Sequence, residues 1–102
     1  MADLAYDFEW DGSKADSNLK KHSVTFEQAA TVFLDALSVT VFDEVHSQYE
    51  ERWFTLGYAT NGVLLAVAHT YQATSATTIR IRIISARPAT KQERHFYADE
   101  PR

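Results

Sequence analysis

The chain has 102 residues, enough for one domain with a real core and little spare stability. It contains no cysteine, which excludes disulfides, thiolate nucleophiles and Cys-type zinc sites and fits a reducing compartment. The net charge of −4 is divided, −8 over residues 1–51 and +4 over residues 52–102, which argues against a strong non-specific DNA binder but leaves a cationic half to meet an anionic polymer.

Met1 to Tyr6 shows neither the basic start nor the apolar run of a signal peptide. No segment approaches the length of a membrane span, so a cytoplasmic location without membrane contact is expected. Tyr6 to Trp10 reads as a short strand. Asp11-Gly12-Ser13 offers capping oxygens to a helix through about Lys21. On that helix Ala15 and Leu19 share an apolar face, while Lys14, Asn18, Lys21 and His22 form a polar stripe. A second helix begins near Thr25, with Gln28 placed to complete a capping box and Phe26, Ala29, Ala30 and Phe33 as its apolar face.

Strands follow. Ser38 to Asp43 is rich in Val, Thr and Phe, and residues 43–51 make a polar loop. Arg52 to Ala59 alternates Phe54, Leu56 and Tyr58, and Thr60-Asn61-Gly62 is a hairpin signal because Asn-Gly accepts positive φ. Val63 to Tyr71 is apolar enough for a central strand, and Gln72 to Ala76 reads as a soft turn. Thr77 to Ala86 alternates isoleucine and arginine, so one face packs a core and the other holds guanidiniums. Arg87-Pro88-Ala89 breaks that strand. Thr90-Lys91-Gln92-Glu93 is a second capping box, opening a short helix through Tyr97, with a frayed tail at residues 99–102. The order β-α-α-β-β-β-β-α predicts an α+β domain over residues 1–102, with an antiparallel sheet and helices packed on it.

Between Arg80 and Arg94 the basic residues Arg80, Arg82, Arg87, Lys91 and Arg94 are opposed only by Glu93. Arginine presents a planar fork suited to phosphate or carboxylate. The series Phe8-Glu9-Trp10-Asp11, Lys14, Asn18, Lys21-His22, Val24 to Ala29 and Val32 to Asp35, then His46-Ser47, Glu51-Arg52 and Gly57, resembles the BrnT family in order and spacing. So does its most specific piece, Ile81-Arg82-Ile83-Ile84-Ser85-Ala86-Arg87, followed by Ala89, Glu93-Arg94 and Tyr97. The chain departs from the family at Ser23, where glycine is usual, and at Pro88, where a basic residue is common. The uncharged segment Gln72 to Ala76 is also a little long.

The resemblance implies a RelE-like fold and the toxin half of a bacterial type II toxin–antitoxin pair, a ribonuclease working without metal or cofactor. It also implies a BrnA-like antitoxin with a ribbon-helix-helix DNA-binding part, most simply as a two-plus-two heterotetramer. Operator DNA would then be reached only through the antitoxin. Metal-free cleavage needs a base for the 2′-hydroxyl, a proton donor for the leaving oxygen, and cations around the phosphorane. The cationic candidates are Arg82 and Arg87, then Arg52 and Arg80. His46, in the polar loop beside Glu50, Glu51 and Arg52, is the histidine candidate, and Tyr97 a possible donor or stacking ring. Arg80, Lys91, Arg94, Lys14, Lys21 and His22 are candidates for RNA binding. His69 shares the parity of Val63, Leu65 and Val67 and reads as a hydrogen-bonded core histidine. The bland alternatives are arginines that solvate an exposed sheet face or pair with Glu44, Glu50 or Glu51, and a non-catalytic module that binds antitoxin or RNA.

Overall fold

The structure is a computed structural model describing residues 4–101. Within them the chain runs β1 (Ala5–Glu9), α1 (Gly12–His22), α2 (Phe26–Thr31), a 3-10 turn (Val32–Leu34), β2 (Val39–Phe42), β3 (Trp53–Tyr58), β4 (Leu64–His69), β5 (Gln72–Ala73), β6 (Thr78–Pro88) and α3 (Lys91–Asp99). Arg102, at the end of the expected frayed tail, lies outside the described residues.

The strands lie in the order β1-β6-β4-β3-β2, with β5 also paired to β6. Pairing is antiparallel from β2 through β3 and β4 to β6, but β1 runs parallel to β6, from Ala5 opposite Thr78 to Glu9 opposite Arg82. The α+β class is as expected, and the sheet is mixed rather than purely antiparallel. A parallel neighbour needs a long crossover, and here the chain passes through both N-terminal helices before it returns beside β1. The expected soft turn holds a two-residue strand, Gln72 opposite Arg80 and Ala73 opposite Ile79. β6 also runs two residues past Ala86, ending on Pro88, because a strand terminus tolerates the missing N–H.

Two cores lie on opposite faces of the sheet. α1 and α2 cover the first, where Phe26, Val32, Leu65, Val67, Ile81 and Ile83 are buried. α3 covers only part of the second, over Leu56, Leu64 and Ala66, with Tyr97 and Ala89 closing it. The rest of that second face is open, and it carries the arginines.

Both predicted capping boxes are formed, Thr25 with Gln28 and Thr90 with Glu93. The predicted apolar face of α1 forms only in part, with Ala15 packed against the first core. Leu19 is 48% exposed, while Asn18 of the expected polar stripe is 5% exposed. β1 stops pairing at Arg82, so the edge of β6 beyond that point has no strand beside it. The Asn18 amide takes the place of one: Nδ2 donates to the carbonyls of Ala86 at 2.8 Å and Val24 at 3.0 Å, and Oδ1 accepts from Ala86 N–H at 3.0 Å. A buried backbone edge must be paired, and that requirement outweighs helical periodicity here.

α1 ends at Ser23, which is left-handed (φ 56°) and donates its N–H to the Leu19 carbonyl. Glycine adopts this conformation without cost, and here a serine holds it. Gly57 is required for another reason, close approach. A Cβ there would lie 2.7 Å from Val32 Cγ1 and 3.2 Å from the Val32 carbonyl oxygen.

Candidate active site

The alternation of β6 explains half of the arginine cluster, and a bulge explains the rest. Ile79, Ile81 and Ile83 face the helices, so Arg80 and Arg82 face away. Continued unchanged, the same parity would drive Arg87 into the helix-covered core. Instead His69 pairs with Ile83 while the next β4 residue, Ala68, pairs with Ser85. Two steps on β6 therefore oppose one on β4, which makes Ile84 the extra residue of a β-bulge. Ala86 takes the core position, and Arg87 emerges beside Ala66 on the same open face as Arg82.

On that face two guanidiniums from different strands converge on one carboxylate. Arg82, from β6, donates through Nη2 to Glu50 Oε1 in a close contact. Arg52, immediately before β3, reaches the same oxygen at 3.4 Å. Burial alone would raise the Glu50 carboxyl, but hydrogen bonds and charge from Arg82 and then Arg52 outweigh it and hold the group below its ordinary value. Arg52 Nε is buried and has no hydrogen-bond partner among the described residues, so this guanidinium keeps an unused donor. Glu50 is the residue that sequence reasoning missed as a functional group. It was legible only as one of several acids in a polar loop.

The same loop positions His46. Its Nδ1 lies 2.9 Å from Asp43 Oδ2, and its backbone N–H donates to the other oxygen at 3.3 Å. An ionised carboxylate only accepts, so Nδ1 carries the proton and Nε2 is left facing outward on a side chain 61% exposed. Asp43 is itself buried, and no local pattern marks its orienting role.

Arg87 is differently placed. It makes a bidentate pair with Glu93, at 2.6 and 3.0 Å. Glu93 also caps α3, accepting from Thr90 N–H at 2.9 Å. The Arg87 hydrogen bond is the main reason its carboxyl falls to about 2; burial opposes this and Thr90 adds to it. Arg87 is raised in return. The pair ties the end of β6 to the start of α3. Tyr97 is buried and donates its hydroxyl to Asp35 at 2.6 Å, docking α3 on the sheet. Arg80 stands apart, with Nε 3.5 Å from Asp7 and 4.0 Å from Glu9 on the neighbouring β1.

His69 is fully buried, as its parity implied. Nδ1 donates to the Thr70 carbonyl at 2.8 Å, so Nε2 accepts from Thr55 Oγ1 at 2.7 Å, which in turn accepts from Thr40 at 2.8 Å. Burial lowers its pKa against the opposing effect of the Thr70 carbonyl, which keeps it neutral and structural. Lys91 and Arg94 are exposed on α3. Lys14, Lys21 and His22 line a groove of about 350 Å³ between α1 and β6. Among the described residues no group of three or more His, Cys, Asp or Glu could hold a metal ion, and no helix is long and apolar enough to cross a membrane.

Comparison with known proteins gives two findings. The family described as "Ribonuclease toxin, BrnT, of type II toxin-antitoxin system" matches residues 10–93. The fold is similar to the crystal structure of the Brucella abortus ribonuclease toxin BrnT, with a TM-score of 0.53 at 16% identity, covering 89% of this chain and 100% of that one. No curated protein sequence matches the chain.

Proposed function

The chain belongs to the BrnT family of ribonuclease toxins of type II toxin–antitoxin systems, and from that premise we propose that it is a metal-independent endoribonuclease centred on Arg52, Arg82 and Glu50. The observation that carries this reading is the convergence of two guanidiniums on one loop carboxylate at an open sheet face. A phosphate oxygen presents the same kind of acceptor to the same forks. Arg82 and Arg52 would hold the scissile phosphate and stabilise the charge that builds on it. Glu50, freed as its arginines turn to the phosphate, regains proton affinity and takes the 2′-hydroxyl proton. The 2′-oxygen attacks phosphorus, and the 5′-oxygen leaves with the Nε2 proton of His46, which enters the reaction as an imidazolium with its Nδ1–H held by Asp43. The products are a 2′,3′-cyclic phosphate and a 5′-hydroxyl. A required 2′-hydroxyl makes RNA, not DNA, the substrate.

In this scheme Arg87 adds positive potential while anchoring α3, and Tyr97 serves packing. Arg80, Lys91 and Arg94 give peripheral phosphate contacts. The proposed partner is a BrnA-like ribbon-helix-helix antitoxin in a two-plus-two complex, covering the open face by charge complementarity and carrying the operator contacts. One observation favours a second reading, a non-catalytic binding module. Arg52, Arg80, Arg82 and Arg87 all have carboxylate partners within the chain. Incubating a labelled RNA with the purified chain in EDTA separates the two. Cyclic-phosphate ends on RNA, and none on the 2′-O-methyl equivalent, are expected. Intact RNA from a folded, antitoxin-free chain would sink the catalytic reading.

A further inference from the structure

The α1–β6 groove has properties that the arginine face lacks. Lys14, Ser17, Lys21 and His22 form one wall, and Ile84 and Ser85 form the other. No acidic residue lines it, although the chain carries a net charge of −4. Lys14, Lys21 and His22 make no ion pair among the described residues, whereas the arginines at positions 52, 80, 82 and 87 are all paired. The unpaired positive charge on offer to an incoming anion therefore lies in the groove, and on Lys91 and Arg94 of α3, more than on the paired arginines of the sheet face. Electrostatic attraction of a polyanion follows uncompensated charge, not the count of basic residues.

The groove also adjoins the strand that carries two of the candidate arginines. Its β6 wall is the bulge itself, Ile84 and Ser85, which lies between Arg82 and Arg87 along the strand. Asn18, at its floor, holds the Ala86 backbone through both N–H and carbonyl, which fixes the groove against the residue preceding Arg87. Hydroxyls of Ser17 and Ser85 add neutral donors beside the two ammonium groups.

We infer that the groove between α1 and β6 is a phosphate-binding track for the RNA strand, holding backbone phosphates next to the scissile one and separate from the residues that perform cleavage. This rests on the ribonuclease reading and deepens it. Binding strength then resides largely in Lys14, Lys21 and His22, and chemistry in Arg82, Arg52 and Glu50. A strand too short to span from the arginines into the groove is held poorly even where it is cut.

The test is fluorescence anisotropy of the whole chain with two labelled 2′-O-methyl oligonucleotides, a tetramer and a dodecamer, across a salt series. Lys14→Ala, Lys21→Ala and their combination are compared with Lys20→Ala, a lysine on the same helix outside the groove. All three lysines are exposed, so the fold is expected to survive each change. Each single-strand phosphate contact contributes a salt slope of about −0.7, so the double variant should lose about 1.4 from the slope and bind the dodecamer about 25-fold more weakly at 0.1 M salt. Lys20→Ala should do far less, and the tetramer should barely register the groove variants. Equal weakening by Lys20→Ala, or unchanged dodecamer binding in the double variant, overturns the inference. So does a double variant that binds RNA normally but loses the antitoxin, which would assign the groove to an acidic protein segment. The oligonucleotides cannot be cut, so the result stands apart from the catalytic claim. Groove-dependent binding without cleavage of ordinary RNA would remove the catalytic reading alone.

Discussion

Replacing Asn18 with leucine tests the account of why the fold holds its site. Leucine is close to asparagine in size and suits the buried position, so a reading in which α1 docks by apolar packing predicts little change. The structure predicts otherwise. The substitution leaves Ala86 N–H, Ala86 carbonyl and Val24 carbonyl without their side-chain partner. Each buried polar group left unsatisfied costs about 1–3 kcal/mol, and the carbonyls fall at the low end because each has a second lone pair. Three such losses, less about 1.5 kcal/mol for the added apolar burial, give a net destabilisation of about 3 kcal/mol. Against a total of roughly 5–15 kcal/mol this is a large fraction. Urea unfolding followed by tryptophan fluorescence reads it directly, since Trp10 packs edge-on against Phe26 in the same core. Asn18→Asp adds a signature. It keeps one acceptor for Ala86 N–H but sets a carboxylate against two carbonyl oxygens, so its folded pKa is raised. The penalty then grows as pH rises through the ordinary carboxylate range and is relieved on acidification. A leucine variant within about 0.5 kcal/mol of wild type, with no acid rescue of the aspartate, would refute the reasoning.

Other expectations follow from single contacts. Ser23→Gly removes the strain of a left-handed serine and should stabilise the chain by about 0.5–1 kcal/mol, seen as a rise of several degrees in Tm. Gly57→Ala should destabilise by about 1–3 kcal/mol, because its methyl meets Val32 side chain and backbone at once; an unchanged urea midpoint would show that β3 moves freely away from the 3-10 turn. The Glu93 carboxyl is depressed from 4.5 to about 2, so its contribution is present above about pH 4.5 and is lost as pH falls toward 2. Water around the partly exposed pair reduces that contribution to about 1–2 kcal/mol. Glu93→Gln should flatten this part of the stability–pH profile, and an unaltered acid limb would place the titration elsewhere.

Most elements could be read from the chain because their signals are local. The two capping boxes, the Asn61-Gly62 turn and the Ile79 to Ile83 alternation each specify their own geometry within a few residues. What escaped depends on partners distant in sequence. The parallel pairing of β1 with β6 joins segments some seventy residues apart. Asn18 looked like surface because nothing in α1 reveals the unpaired β6 edge it covers, 68 residues on. The arginine face itself was legible, but its coherence was not. Arg87 joins Arg82 only through a bulge at Ile84, and alternation alone points it to the wrong side. Glu50 was hidden by its context, since one carboxylate in an acidic loop has no distinguishing pattern until the fold brings two arginines to it.

The most direct test of the proposed mechanism is steady-state cleavage of a defined RNA by Glu50→Gln in EDTA. Glutamine keeps the size of the side chain and removes its capacity to take a proton. The account predicts kcat down by about 10²–10⁴-fold, with RNA binding unchanged or tighter because Arg82 and Arg52 are released. Cleavage at the wild-type rate or faster would contradict it, leaving Glu50 as a placeholder for phosphate and the base elsewhere.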